Sequence, residues 1–373
     1  MNKIIGIVNF HSSPEVSPLT DNRPLGSTSF LGRYGVCDFA LSNLCNSGIS
    51  TIGLLVKNHQ RSILKHIGSM DAWLSNTKTG QEIIMYNEAG HLHPESNTDL
   101  NNFRENDWVL YDSSIEYIVI VPAHIVLTID LRPYIQEHIS RGEQITCVYA
   151  HTSKLDSGNI GARVLTIDDE GYITSAVSND GTLKGAGDVT LGIYIINRLT
   201  LVEMIHKLLP IQPYMSLAQL FTVGAKSGMF KAHAARFDGF VRAIDSFVHY
   251  MEYSLELLDR KKIDALMAPH WPIYTLTHDT PPTAYGPEAV VANSYVANGA
   301  TIEGTVVNSI IARNVVIGKG AVVRNSIVFS SARIGEGAKV ENALIDKYAI
   351  ITMGHSVSGS KKSPLYVHQG AML

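Results

Sequence analysis

The chain has 373 residues, of which 45% are hydrophobic and 17% charged, and this length predicts two or three globular domains. Its formal net charge of −4 gives no electrostatic reason to expect nucleic acid or an anionic membrane as the main partner. The three cysteines form no CxxC pair, which argues against a cysteine metal site and against a disulfide framework.

The chain begins with an apolar run at residues 4–8, which predicts a buried strand and is too short for a signal peptide. No apolar stretch approaches the roughly 20 residues that a membrane span needs. We therefore expect a cytoplasmic protein without a membrane partner.

Short apolar runs alternate with helical periodicity over the first half of the chain, which is typical of an α/β sheet. Asp38 is expected to cap a helix that Gly48 ends. The capping-box spacing at Thr200 predicts the start of a later helix, and Asp245 is expected to cap another. The other predicted strands are residues 52–56, 117–121 and 145–149, and residues 59–67 are predicted to be helical.

Residues 263–286 carry several prolines and turn residues, and they predict a linker. This divides the chain into an α/β domain at residues 1–262, the linker at 263–286, and a second domain at 287–373.

The second domain has a different pattern, in which Ile or Val recurs at steps of six, six and five residues. A period of about six predicts a parallel β-helix of the hexapeptide type, whose stacked triangular coils bury one aliphatic side chain per face. Asn308, Asn325 and Asn342 repeat at the combined step and are expected to stack at turns. The repeating aliphatic residues are Ile311, Ile317, Val323, Val328, Ile334, Val340, Ile345, Ile351 and Val357, and the series extends upstream to Val290, Val296 and Ile302.

Residues 38–49 read DFALSNLCNSGI, which is similar to the DFALSN-x-x-NSGI segment of the ADP-glucose pyrophosphorylase family. Residues 161–171, 191–194 and 325–346 resemble three further stretches of that family, so the resemblance covers nearly the whole chain. It implies an α/β nucleotidyltransferase (Rossmann-like) domain followed by a left-handed β-helix. It also implies a chemistry, adenylyl transfer from ATP to glucose 1-phosphate, which active relatives perform with Mg²⁺.

The chain departs from the active members at each catalytic motif. Residues 9–14, NFHSSP, replace a glycine-rich loop whose backbone N–H groups cradle a triphosphate. Ala123 and Ala243 stand where active members carry the two metal-binding aspartates, and the sugar-phosphate lysine aligns near Asn179. Because each lost charge-stabilising group costs roughly a hundred- to a thousandfold in rate, we expect no catalytic residue, no bound metal and no turnover by this chain alone.

These departures resemble those of the family's D-type regulatory subunits. By that resemblance, the chain pairs with a catalytic paralogue of the ADP-glucose pyrophosphorylase family in a mixed tetramer and raises its activity, or forms a homo-oligomer when alone. A phosphorylated small-molecule effector or nucleotide is a further expected partner. The basic candidates for binding its phosphate are Arg23, Arg33, Lys57 and Arg61.

Two other hypotheses remain open at this point. The first is an active glucose-1-phosphate adenylyltransferase with a rearranged site that uses Asp130 or Asp245. The second is an acyltransferase that uses His355 of the β-helix, which leaves the large α/β domain without a role.

Overall fold

The structure of the protein is a computed structural model, which describes residues 3–74, 81–88, 90, 93–155 and 158–373. It contains an α/β domain and a parallel β-helix, as predicted. In the described part of the chain, no helix has both the length and the apolar character needed to cross a bilayer.

One mixed sheet forms the centre of the α/β domain, with the order β10-β9-β11-β6-β1-β4-β5, while β8 joins β11 to β12. Strand β1 runs parallel to β4 and β6, whereas β11 is antiparallel to β6. All four strands predicted in this domain are confirmed. The strands are β1 Lys3–Asn9, β2 Ser29–Phe30, β3 Tyr34–Gly35, β4 Thr51–Val56, β5 Gln81–Tyr86, β6 Ile115–Pro122, β7 Ile125–Leu127, β8 Ile145–Thr152, β9 Arg163–Ile167, β10 Ile173–Ser178, β11 Gly187–Asn197, β12 Ala232–Arg236 and β13 Val241–Ala243.

Helices cover both faces of this sheet and bury two apolar clusters against it. Ile5 and Ile7 of β1 face one cluster and Val8 faces the other, as the alternation of a strand requires. The described helices are α1 Cys37–Asn46, α2 Gln60–Ile67, α3 Asp71–Leu74, α4 Asp99–Glu105, α5 Trp108–Tyr111, α6 Arg132–Arg141, α7 Arg198–Leu208, α8 Leu217–Ser227, α9 Phe247–Glu256 and α10 Arg260–Leu266.

Three predicted helix caps are wrong in detail. Asp38 lies inside the first turn of α1, where its carboxylate accepts a hydrogen bond from the Gly35 N–H. Thr200 lies inside α7, which begins at Arg198. Ser246, rather than Asp245, caps α9 and accepts from the His249 N–H. The N-cap residues of α1 and α7 are Val36 and Asn197, and neither makes a side-chain capping bond, so a capping residue in the sequence does not mark where these two helices begin.

The β-helix consists of three five-stranded parallel sheets, one per face of its triangular section. The nine predicted core residues from Ile311 to Val357 are all buried, at 4% exposure or less. The strands are β14 Ala284–Tyr285, β15 Val290–Ala292, β16 Tyr295–Val296, β17 Thr301–Ile302, β18 Thr305–Val307, β19 Ile310–Ile311, β20 Val316–Ile317, β21 Val322–Arg324, β22 Ile327–Val328, β23 Arg333–Ile334, β24 Lys339–Glu341, β25 Ala343–Ile345, β26 Ile350–Ile351, β27 Ser356–Ser358 and β28 Leu365–Val367.

The upstream end of the aliphatic series is wrong by one residue. Val290 is 54% exposed, and the strand register places Val291 opposite the buried Val306. On this face, β15 is followed by its partner strand after 15 residues, whereas the next step on the same face is 17 residues, so a series extrapolated from the later coils loses phase there.

The predicted asparagine stack is confirmed. Asn308, Asn325 and Asn342 all have a φ of 47° to 48°, in the left-handed region that asparagine tolerates. The Asn308 amide donates to Asn325, and Asn293 donates in turn to Asn308. The stack satisfies amide groups along one edge of the helix.

The two domains share a buried apolar cluster. Phe30, Phe39 and Tyr250 of the α/β domain belong to the same cluster as Ile310 and Phe329 of the β-helix. The predicted boundaries shift accordingly. Helix α10 continues to Leu266 because that buried leucine belongs to this cluster, and the β-helix begins at β14 inside the predicted linker.

Candidate functional site

A pocket of about 340 Å³ opens at the carboxyl ends of the parallel strands β1 and β6, where α/β sheets usually bind ligands. Its walls come from the loop after β1, from residues 122–125, from residues 159–163 and from residues 243–245. The polar residues that line it are Asn9, His11, Ser12, Asp99, His124, Asn159, Arg163, Thr190, Tyr194, Ser216 and Asp245.

The loop after β1 is held by its own hydrogen bonds. The His11 N–H donates to the Asn9 side chain at 2.9 Å, and the Ser13 N–H points to the Phe10 carbonyl at 3.4 Å. Phe10 is buried in the core. Because backbone donors are used internally and bulky side chains fill the loop, it cannot cradle a triphosphate as a glycine-rich loop does.

The His11 imidazole is also engaged within the fold. Its Nδ1 donates to the Asn97 carbonyl at 3.3 Å, and its Nε2 accepts from the Asn102 amide at 3.0 Å. Burial lowers the pKa of His11 to about 4, so the ring is neutral at pH 7. This histidine positions the loop and carries no charge for a phosphate.

Asp99 is one of two carboxylates in the pocket lining, and hydrogen bonds occupy both of its oxygens. One oxygen accepts from the Asn9 amide at 3.0 Å, and the other accepts from the Leu217 N–H at 2.7 Å. Asp99 is 3% exposed. It therefore ties the β1 loop to the start of α8.

Asp245 is the second carboxylate of the lining. It pairs with Nδ1 of His249, and its other oxygen accepts from the Ile160 N–H at 2.9 Å. Asp245 therefore fastens the loop at residues 159–163 against α9. The two hydrogen bonds leave its carboxylate engaged on both oxygens.

Ala123 and Ala243 reach the same side of the pocket because β7 pairs with β13, opposing Ala243 to Ile125. Ala243 lines the pocket, whereas Ala123 is fully buried and its neighbours Pro122 and His124 form the wall. Burial lowers the pKa of His124 to about 4, and its Nδ1 has no hydrogen-bond partner. Neither alanine has a side-chain oxygen to offer to a metal ion.

Mg²⁺ is the metal that the fold family implies, and the residues of this pocket do not fit it. Magnesium prefers oxygen ligands, usually one or two carboxylates together with substrate phosphates. Both pocket carboxylates are engaged in hydrogen bonds that hold the walls together. A magnesium ion at this position therefore lacks the carboxylate ligands that it needs, and so does a reaction that depends on it.

One other group in the described chain could hold a metal by distance alone, namely Cys37, Asp38 and His66, whose ligand atoms lie within 4.8 Å of one another. His66 already bonds to Asp38 at 2.6 Å. Burial raises the pKa of the Cys37 thiol well above its usual value, which keeps it protonated. The cluster is consistent with a structural Asp–His pair beside a buried thiol.

Two further positions from the sequence analysis, Asp130 and Asn179, also have structural roles. Asp130 lies outside the pocket and forms an ion pair with Arg132 at 2.7 Å, which lowers its pKa. Asn179, near the family's lysine position, is buried and donates to the carbonyls of Leu155 and Gly158. It thereby holds the chain next to residues 159–163, which line the pocket.

For Arg23, one of the four basic candidates, the structure contradicts the phosphate-binding prediction. Its guanidinium is buried and makes two hydrogen bonds to Asp346 of the β-helix, at 2.9 and 2.5 Å, and a third to Gln369. Lys57 pairs with Glu15 at 3.2 Å on the surface, and Arg61 is exposed on α2. Arg23 therefore contacts the β-helix and Lys57 contacts the loop after β1, so these two residues are engaged in different parts of the fold.

Arg33 lies in a different cleft, between the α/β domain and the first coils of the β-helix. Arg313, His278 and Tyr295 line the same cleft, whose volume is about 550 Å³. Burial and the nearby Arg33 lower the pKa of Arg313, and its buried Nε has no partner. Sequence reasoning missed Arg313 because nothing in a β-helix repeat indicates which turn faces the other domain.

Helix α1, which carries the DFALSN segment, supports the fold and does not line the pocket. The Asn43 side chain donates to the Leu127 carbonyl and accepts from the Ile129 N–H, at 3.0 and 3.1 Å. Ser47 accepts from the Leu131 N–H. These bonds hold the chain that follows β7.

Comparisons with known proteins agree with this two-domain arrangement. A nucleotidyl transferase family model matches residues 14–178, and a model described as GlmU-like, C-terminal hexapeptide matches residues 282–363. The chain is 31% identical to the glycogen biosynthesis protein GlgD of Bacillus subtilis (strain 168), over 99% of this chain and 96% of that protein.

Two further relatives extend the comparison. The glycogen biosynthesis protein GlgD of Geobacillus stearothermophilus is 31% identical over 86% of this chain and 83% of its own length. The glucose-1-phosphate adenylyltransferase of Thermotoga neapolitana is 27% identical, over 82% of this chain and 72% of that enzyme. The chain therefore belongs to the ADP-glucose pyrophosphorylase (glucose-1-phosphate adenylyltransferase) family, together with the GlgD glycogen biosynthesis proteins.

Proposed function

We propose that this chain acts in glycogen biosynthesis as a regulatory subunit of ADP-glucose pyrophosphorylase. It activates a catalytic paralogue and has no turnover of its own. The observation that carries the proposal is the pocket without a free carboxylate, since both aspartates in its lining hold the walls together. The similarity to GlgD proteins supports the same role. The cytoplasm is the proposed location.

The first coil of the β-helix supports the proposed association with a paralogue. Tyr285, Val291 and Val296 hold the inward positions of this coil, because they pair with the buried Ile302, Val306 and Ile311. Yet Tyr285 is 56% exposed and Val291 is 37% exposed. The end of the apolar core at this first coil is therefore open to solvent.

The other end of the β-helix is closed by the chain itself. The last residues pair with β26, where the Leu373 N–H donates to the Ile350 carbonyl at 3.0 Å. The inward residues of that end, Ile351, Val357 and Val367, are at most 4% exposed. Stacked repeats need such a cap at both ends, and only one end has it within the described chain.

A second β-helix is the partner that fits the open end. The strands β14, β15 and β16 each pair on one side only, and they form a triangle around the exposed apolar residues. A single peptide strand covers one side of this triangle, whereas a β-helix of the same section covers all three sides and the core between them. A paralogue of the same family offers that section.

The cleft between the domains is the proposed site for a phosphorylated effector. Arg33 and Arg313 both line it, and Asp38, a buried carboxylate whose charge partly offsets the lowering of the Arg313 pKa, already bonds to His66 and to the Gly35 N–H. A phosphate there compensates two guanidinium groups and gives the unpartnered Arg313 Nε an acceptor.

Mixing the purified chain with its catalytic paralogue tests the proposal. We expect the two chains to co-elute in size-exclusion chromatography and the turnover of the paralogue to rise. We also expect inorganic phosphate to alter that turnover with the wild-type chain and to have a weaker effect with Arg313→Gln. Separate elution with unchanged turnover contradicts the regulatory role, whereas a phosphate response unaffected by Arg313→Gln contradicts only the effector cleft.

A further inference from the structure

We propose that one helical face of the α/β domain is an interface on which a second copy of this chain docks around a two-fold axis. Helices α4, α5, α7 and α8 and the loop between α7 and α8 form this surface, which we call the α7–α8 face. The self-association is a property of this chain alone, so it and the regulatory role can each fail without the other.

The two helical layers of the domain differ in how much apolar surface they leave uncovered. Helices α1, α2, α3 and α6 cover one face of the sheet, and their described residues expose no large apolar side chain. The layer on the other face also buries a cluster against the sheet, yet it leaves large apolar side chains exposed. Such a patch on a soluble domain marks an interaction site. The exposed side chains include Trp108, Tyr111, Leu199, Ile211, Tyr214 and Val223.

Hydrogen bonds between the helices make the α7–α8 face one continuous surface. The Tyr111 hydroxyl bonds to Nε2 of His206 at 3.0 Å, which joins α5 to α7. The Asn101 amide donates to the Pro213 carbonyl, which joins α4 to the loop after α7. Tyr214 lies in an open groove of about 520 Å³ that this loop forms with α8. The exposed apolar residues therefore extend from α5 across α7 to α8.

The centre of this face carries no charge. Residues 208–225 contain no Asp, Glu, Lys, Arg or His, although 17% of the residues of the whole chain are charged. Within this segment residues 210–214 are all exposed, with Ile211 at 75% and Tyr214 at 57%. The centres of protein interfaces are depleted in charged residues and enriched in aromatic ones. The segment therefore has the composition of an interface centre.

The same composition selects the class of partner. A helical surface that binds a membrane carries Lys or Arg beside its apolar residues, and residues 208–225 have neither. A glucan chain stacks its sugar rings on aromatic side chains, whereas Leu199, Ile211 and Val223 offer branched aliphatic groups without a ring. A protein surface packs against aliphatic and aromatic side chains alike. The face therefore favours a protein partner.

A second copy of the chain fits this face because a two-fold contact places the surface against itself. The uncharged centre opposes no like charges when it meets its own copy. Glu203 and Lys207 on α7 already form an ion pair, so neither requires a complementary charge on the partner. The stacking proposed for the open β-helix end gives each chain one contact, which joins chains only in pairs. A second, isologous contact closes two such pairs into a tetramer.

Sedimentation velocity of the full chain tests the face, with Val291→Lys present throughout to block the open end of the β-helix. We expect the Val291→Lys chain to form a dimer at micromolar concentrations. Adding Ile211→Lys and Tyr214→Lys should raise the dimer dissociation constant at least about a hundredfold, because the lysines are then buried in an apolar contact and oppose their own copies. A dimer that these lysines do not weaken overturns the proposal.

A monomeric Val291→Lys chain overturns it as well. In that case, binding of a maltooligosaccharide that the two lysines abolish would assign the face to a glucan instead.

Val177→Lys is the matched control, because Val177 is an exposed apolar residue of the same domain, at 48%, on β10 outside the α7–α8 face. It should leave the dimer dissociation constant within about twofold. Hydrogen exchange of the Val291→Lys chain gives a second measurement without the face variants. Residues 208–225 should exchange more slowly in the dimer than at dilutions where the chain is monomeric. Dimerisation that protects only other segments contradicts the assignment of this face.

Discussion

Replacing Arg23 with methionine is expected to lower the free energy of unfolding by about 3–5 kcal/mol, because the variant leaves the carboxylate of Asp346 buried without its cation. Arg23 is 3% exposed and Asp346 is fully buried. Tyr366 donates to the same carboxylate at 2.6 Å, and this bond cannot replace the lost positive charge. Urea unfolding followed by circular dichroism measures the change.

Two further variants serve as controls for that result. Lys57→Met removes the exposed pair with Glu15 and should change the same free energy by about 1 kcal/mol or less. The double variant Arg23→Met with Asp346→Leu should recover much of the loss, since it leaves no buried charge alone. A loss below about 1 kcal/mol for Arg23→Met would contradict the assigned role of this ion pair in joining the two domains.

Replacing Val291 with lysine is expected to weaken association with the catalytic paralogue at least about a hundredfold, because a charge is then buried in an apolar contact. Val291 holds an inward position of the open first coil. A lysine on an exposed strand edge is also the device by which natural proteins prevent edge pairing. Sedimentation velocity of mixtures, without added phosphate, gives the dissociation constant.

Met353→Lys is the control for this experiment, because Met353 is 74% exposed at the opposite, closed end of the β-helix. It should leave the dissociation constant within about twofold of the wild-type value. If both variants bind like the wild type, the partner contacts another surface, and the open end of the β-helix has no role in assembly.

The β-helix could be predicted almost completely from the sequence, because each coil repeats one physical requirement, an aliphatic side chain in a closed core. The prediction lost phase only at Val290, where the coil length changes from 17 to 15 residues. A periodic pattern contains no information about such a change. The exposure of that first coil likewise depends on what stacks upon it.

The candidate site could be predicted only in part. The loss of the two metal-binding aspartates could be predicted from the sequence, because Ala123 and Ala243 have side chains without any ligand atom. The role of Arg23 was not visible, because its partner Asp346 lies 323 positions later in the chain. Arg163 stands within a segment that resembles the family, and only the structure shows that it lines the pocket and that its Nε has no hydrogen-bond partner.

The isolated chain, incubated with ATP, glucose 1-phosphate and Mg²⁺, provides the most direct test of the central claim. The account predicts no pyrophosphate release above the rate without protein, because neither pocket aspartate is free to hold the metal. ADP-glucose formed at a rate proportional to the concentration of this chain, and abolished in an Asp245→Asn variant, would contradict it.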